Sequence, residues 1–314
     1  MDIRTTDYGS YSEYQLVNPE TGDRVHILPG LGGIIRRLTL SNDGQRFTVL
    51  DSPDDPALFG DNPDYAGTFM FPWPSRIKDG VYAFQGETYQ LPVNEPARNT
   101  AIHGIVHHEP FEVAGEWAST GVSAGLRLTY RHDGSYPGYP FPFDFEIRYE
   151  LLVDGKLEIE ISATNTGAET MPVALGWHPY FQLPGGTVDD WTIFFPSDHQ
   201  ILLDDKQMMP GDTVPFEAGE GYSLNGNSLD AIFALKPTGN EARLVSPVQN
   251  VTLHMAYERG PGKTEYQVVY TFPDRKRVAI EPLTANVDAF NNGEGLYALK
   301  AGEVFRNRFS VYLD

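Results

Sequence analysis

Three short stretches of the sequence each set a titratable side chain beside a backbone breaker. In residues 99–104 His103 precedes Gly104, in residues 175–181 His178 stands between Trp177 and Pro179, and in residues 278–284 Glu281 is followed by Pro282. Proline disfavours the helical region for the residue before it, so His178 and Glu281 are expected in extended backbone. Each follows an apolar run, which places it at a strand end, where a rigid frame can aim a side chain into a concave site. Successive residues of a strand face opposite ways, so Val278 and Ile280 share one side while Ala279 and Glu281 share the other. Glu281 therefore lies on the side with the smaller residue, where a ligand has room. A carboxylate and one or two imidazoles across a pocket form an acid–base set. Their ordinary pKa values, about 4.3 and 6.5, let one take a proton while the other gives one near neutrality. Taken alone, such residues are more often satisfied surface or core groups than catalytic ones.

The elements that must carry these residues are strands. From Phe143 through Phe145, Ile147, Tyr149 and Leu151 to Val153 every second residue is apolar, with Glu146, Arg148 and Glu150 between them. Asp154 and Gly155 follow, and then Leu157, Ile159 and Ile161 alternate with Glu158, Glu160 and Ser162. Two alternating runs joined through Asp-Gly predict a hairpin with one buried and one wet face. Residues 81–84 and 88–91, flanking Gln85, Gly86 and Glu87, predict another. Segments 125–133, 250–258, 265–273, 276–283 and 306–314 read as strands rich in β-branched and aromatic residues. The 31 glycines and 24 prolines punctuate the chain too often for long helices. The loops at 52–74, 135–142 and 210–226 carry aromatics and read as structured connections rather than linkers. The expectation is an all-β protein in which residues 1–314 form a single domain, a large antiparallel β-sandwich of two sheets packed face to face.

Composition narrows the partners. A formal net charge of −20 repels phosphate backbones and anionic headgroups, which argues against nucleic acid and membrane surfaces. The chain has no cysteine, so disulfides, thiolate nucleophiles and Cys-ligated metals are excluded. His103, His107 and His108 have no acidic partner at a recognised ligand spacing, so no metal site is expected. The first residues lack the apolar run of a secretory signal, and the cytoplasm is the simplest location.

The three site segments resemble signatures of the galactose mutarotase (aldose 1-epimerase) family. His103-Gly104 is similar to that family's Leu-His-Gly element, with Ile102 in the leucine place. Residues 177–181 resemble its His-Pro-Tyr-Phe element, and Glu281 with Asp288-Ala289-Phe290-Asn291 its C-terminal element. Ser75-Arg76-Ile77 resembles its Asn-Arg-Ile segment, and Asp230, in residues 228–233, its substrate-orienting aspartate. The resemblance spans nearly the whole chain from the Gly30-Leu31-Gly32-Gly33 region onwards. Two departures bear on which sugar is used: Ser75 replaces Asn, and residues 102–108 lack the aromatic-rich continuation of galactose-acting members.

The resemblance implies the galactose mutarotase-like supersandwich and an enzyme, an isomerase that interconverts the anomers of a free aldose without metal or cofactor. By it Glu281 is the general base at the anomeric hydroxyl and His178 the general acid at the ring oxygen. His103 stabilises developing charge, and Arg76 and Asp230 hold hydroxyls. Trp177, beside His178, is the expected stacking platform, with Trp73 as the other candidate. Two alternatives stand beside this reading. One is a phosphosugar mutarotase, drawing cations from Arg36-Arg37 or Arg275-Lys276-Arg277; the other is a catalytically silent carbohydrate-binding protein. The shared fold does not itself license the chemistry.

Overall fold

The alternation seen in the sequence becomes two large antiparallel sheets in the computed structural model, which describes residues 1–60 and 62–314. The expected hairpin pairs the strands Phe143–Leu152 and Leu157–Asn165, with Tyr149 opposite Ile159 and Leu151 opposite Leu157. Its turn relies on Gly155 at φ 83°, a conformation that costs glycine little. Phe143, Phe145, Ile147, Tyr149 and Leu151 are all buried, and each removes enough apolar area from water to contribute about 1.5–3 kcal/mol. Val153, the last member of the predicted run, falls beyond the strand in the turn and is exposed. The second expected hairpin is also present, Val81–Phe84 with Glu87–Gln90.

The hairpin belongs to a nine-stranded sheet that runs from Glu112–Ser119 at one edge, through Val304–Leu313 in the middle, to Tyr222–Ser223. The other large sheet has thirteen strands among the described residues, from Asp2–Tyr8 at one edge to Pro210–Pro215 at the other. Apolar residues of both sheets, among them Leu126, Ile147, Ile159, Val269, Val278 and Ile280, join in one buried cluster. The two helices found among the described residues, Pro56–Phe59 and Ala289–Asn292, are one turn each. No helix among the described residues is long and apolar enough to cross a membrane.

The strand Val278–Leu283 lies inside the larger sheet, between Tyr180–Phe181 and Tyr266–Thr271, and Asp230–Ala234 comes next. Val278, Ile280 and Val269 point into the core, as do Ala231 and Phe233 of the next strand. The opposite face carries Ala279, Glu281, Val268, Tyr270 and Asp230, and it forms one wall of a cleft.

Candidate active site

Each expected catalytic side chain reaches this cleft by a local backbone device. Glu281 sits in mid-strand with Val268 as its cross-strand partner. His178 falls in the break between the short strands Gly176–Trp177 and Tyr180–Phe181. Its N–H donates to the Thr68 carbonyl at 2.9 Å and its carbonyl accepts from the Gly67 N–H at 2.8 Å, which fixes the backbone. His103 follows the strand Thr100–Ile102, which pairs with Arg76–Lys78 so that Ile102 lies opposite Arg76. The backbone then turns sharply: His103 has φ 65° and Gly104 φ 77°. A β-carbon on Gly104 would overlap the Phe71 carbonyl, so the close approach requires glycine. Asn94 pins this turn by bonding both the N–H and the carbonyl of Ile102.

These elements bring His178 Nε2 to 3.5 Å from Glu281 Oε1, with both residues buried. The His103 ring stands edge-on to that of His178, 5.5 Å between centroids. Burial decides the protonation of the pair. It pushes the Glu281 carboxyl up to about 8, with the nearby Asp230 charge adding to the rise and Arg76 opposing it. Burial also pulls His178 down to about 4, helped by the charges of Arg76 and Arg277. The His103 imidazole falls well below its usual range, through burial first and the neighbouring His178 and Arg76 next. A buried pair shifted in these directions keeps a single proton across the neutral range.

Around the pair is a cleft of about 310 Å³ lined by Arg76, His103, His178, Asp230 and Glu281 among others. Five of the six site residues read from the sequence therefore converge. Asp230, at the start of its strand opposite Tyr270, is solvent-exposed, yet partial desolvation between the cleft walls raises its carboxyl. The sixth, Trp177, does not line the cleft. Its indole is fully buried on the core side, stacked between Phe69 and Phe309 at 6.0 and 5.9 Å, and its N–H donates to the Gly67 carbonyl. The stacking role assigned to Trp177 is corrected accordingly, and Trp73 is likewise core, packed on Tyr139 and Phe290. His107 and His108 lie in the short turn Val106–His108, against the ring of Tyr65.

The structure also adds residues that the sequence reading passed over. Glu95 grips Arg76 side-on, accepting from Nε at 2.8 Å and Nη2 at 2.9 Å, which leaves Nη1 for the cleft. Thr100 donates to the same carboxylate, and Arg98 lies 3.7 Å from it. Bidentate pairing of this kind fixes the guanidinium plane as well as its charge. A signal was present, because Glu95 precedes Pro96 in the same way that His178 and Glu281 precede their prolines. Tyr65 closes one side, its ring 4.6 Å from that of His103, and Asp64 lies beside it at the mouth. The nitrogen bases lining the cleft are arginine and histidine; among the described residues no lysine lines it.

Of the basic groups considered for a phosphate, Arg36 is buried against Glu13, Arg37 pairs with Asp51 and Asp54, and Arg275 pairs with Asp189. Arg277 lies over the rings of Tyr180 and Phe272, which line the cleft, and Asp64 holds it at 2.9 Å. The Asp288–Asn291 element is a brace: the Asp288 N–H donates to the Arg76 carbonyl, and its carboxylate accepts from the Lys78 N–H.

Residues 14–312 match the model of a single protein family, aldose 1-epimerase. The chain belongs to that family. Among the relatives of this aldose 1-epimerase family member is the uncharacterized Escherichia coli protein YihR, 27% identical over 305 residues, covering 95% of this chain and 93% of the relative. A maltose epimerase of Levilactobacillus brevis is 24% identical over 294 residues, covering 90% of this chain and 82% of its own. The crystal structure of a galactose mutarotase-like protein from Clostridium acetobutylicum superposes with a TM-score of 0.87 at 21% identity, over 100% of this chain and 98% of that one. That likeness establishes the galactose mutarotase-like fold.

Proposed function

We propose that this aldose 1-epimerase family member is a mutarotase, interconverting the α and β anomers of a free aldose by acid–base ring opening and closure. The observation that carries the reading is the buried His178–Glu281 pair, 3.5 Å apart at the wall of an open cleft. At neutral pH burial places the pair's proton on Glu281, so the reaction runs through the minor arrangement in which that proton has moved to His178 and Glu281 is a carboxylate. Glu281 takes the proton from the anomeric hydroxyl as the bond between C1 and the ring oxygen breaks. His178 gives its proton to that ring oxygen, and an open-chain aldehyde results. Rotation about the C1–C2 bond presents the other carbonyl face, and the same two groups exchange roles to close the ring. His103 faces His178 and stabilises charge at the ring oxygen, while Arg76 and Asp230 hold the other hydroxyls. Each well-placed acid or base typically contributes about 10²–10⁴-fold.

The pairing of charges supports an uncharged sugar over a phosphosugar. Arg76 and Arg98 converge on Glu95, and Arg277 is matched by Asp64, so each arginine at the cleft has a carboxylate partner. A protein that only binds sugar has no need of an acid and a base buried within 4 Å of each other. The test is anomer exchange followed by NMR saturation transfer with glucose, galactose, xylose, arabinose and glucose 6-phosphate. Enzyme-dependent exchange of a free aldose is expected, lost by at least about 10³-fold in Glu281→Gln with the fold retained. Full activity in that variant overturns the base assignment, and no exchange with any sugar overturns the mutarotase reading.

A further inference from the structure

The edge of the cleft beyond Asp230 is built by a hairpin tip that the acid–base chemistry does not use. The strand His199–Leu203 pairs with Asp230–Ala234 on one side, Ile201 opposite Ile232, and with Pro210–Pro215 on the other. Continuing the first register two residues brings Leu203 level with Asp230, and both line the cleft. Residues 204–209 close the hairpin. The Asp204 carboxylate shapes this tip by accepting from the N–H groups of Lys206 and Gln207 at 2.8 Å and of Met209 at 2.9 Å. The tip sends its two methionines to different places. Met209 packs on the apolar cluster of Ile201, Ile232, Leu283 and Val287, whereas Met208 lines the cleft.

Met208 is held there against its backbone preference. Its φ of 57° is left-handed, a conformation uncommon for a residue with a side chain and kept only where the surroundings fix it. The fixing contacts come from the turn that carries Glu95 and Arg98. Gln207 is buried, and its amide donates to the Asp79 carboxylate at 2.9 Å and to the Arg98 carbonyl at 3.1 Å. Asn99 donates to the same carboxylate at 2.7 Å, and Arg98 Nη1 donates to the Asp205 carbonyl at 3.2 Å. The tip is thereby latched to the segment whose Glu95 orients Arg76.

Neighbouring strands lie about 4.8 Å apart, so the His199–Leu203 strand, third from that of Glu281, runs about 14 Å from it. An aldose with its anomeric carbon at the acid–base pair therefore turns its far edge towards Leu203 and Met208. The methionine side chain is apolar and adaptable, suited to the C–H edge of a ring whose hydroxyls Asp230 holds. We propose that Met208 is a specificity-determining residue and Gln207 the positioning residue that holds it, the latched tip selecting among aldoses by the ring edge remote from C1. The proposal rests on the mutarotase reading of the acid–base pair.

Saturation transfer on glucose, galactose and xylose tests it, with the intact protein, Met208→Ala, Met208→Leu, Gln207→Ala and the Met208→Ala, Gln207→Ala double variant. Glucose and galactose differ only at C4, and xylose lacks only the hydroxymethyl group of glucose, so each comparison probes the remote edge. A ratio of kcat/KM between two sugars is also independent of how much of a variant is folded. Met208→Ala should change at least one of these ratios about fivefold or more, through KM, while Met208→Leu keeps both within about twofold. Gln207→Ala should move the same ratio in the same direction, and the double variant should go no further, because both changes remove one wall. The pH limbs of kcat/KM should stay in place throughout, which separates a lost wall from a disturbed acid–base pair. Unchanged ratios in Met208→Ala overturn the specificity role and leave the mutarotase reading intact. A shift absent from Gln207→Ala, or one that adds to that of Met208→Ala, overturns the latch. If no sugar exchanges, the mutarotase reading fails, and ratios of Kd from NMR titration with the same sugars and variants decide the role of the tip by the same criteria.

Discussion

Glu281 and His178 hold one proton between them over a span of pH that their ordinary pKa values would not allow. Burial lifts the carboxyl to about 8 and lowers the imidazole to about 4. Below the lower value both groups are protonated and no base remains; above the upper value both are deprotonated and no acid remains. A plot of kcat/KM against pH should therefore be flat from about 4 to about 8 and fall on either side. Limbs at the unshifted values, about 4.3 and 6.5, would contradict the shifts that burial imposes. These residues were legible because each adjoins a breaker that dictates its backbone. Trp177 was misread for a reason already in the sequence: neighbours in extended chain face opposite ways, so the residue beside a cleft-facing His178 belongs to the core. Glu95 was missed because its partner, Arg76, comes near only through the ladder between Arg76–Lys78 and Thr100–Ile102.

The elements divide in the same manner. Hairpins could be read directly, since their alternation and turn residues are local. The neighbours of the Glu281 strand could not: Tyr180–Phe181 pairs with it on one side and with Gln45–Leu50 on the other, joining segments remote in sequence through shape and burial alone. The turn after Thr100–Ile102 is the element on which site geometry depends most. Gly104→Ala forces a methyl onto the Phe71 carbonyl at a backbone angle of φ 77°. It should cost about 2–4 kcal/mol, measured as a lower denaturant midpoint. Anomer exchange should fall with it, because His103 is the preceding residue. A midpoint and activity matching the unmodified protein would show that the turn tolerates a side chain.

For the molecule as a whole the dominant quantity is charge. Forty-three acidic residues against 23 basic ones leave a net −20. Self-repulsion of that size opposes the compact state and weakens as salt shortens the screening length, from about 10 Å at 0.1 M to about 3 Å at 1 M. Thermal unfolding above pH 7 should shift to higher temperature between those two salt concentrations. A downward shift would mean that the surface ion pairs, such as Arg131–Asp144, outweigh the repulsion. The sequence disclosed this property fully, because net charge is a sum and needs no fold.

The lining of the cleft bears on the lifetime of the protein as a worker. A ring-opened aldose is an electrophile, and an amine with a free electron pair captures an aldehyde as an imine that matures into a permanent sugar adduct. On the mutarotase reading such an aldehyde forms in this cleft at every turnover, and among the described residues the nitrogen bases lining it are guanidinium and imidazole groups rather than lysine amines. A mutarotase with this lining would handle its intermediate for many turnovers without its cleft being glycated by it.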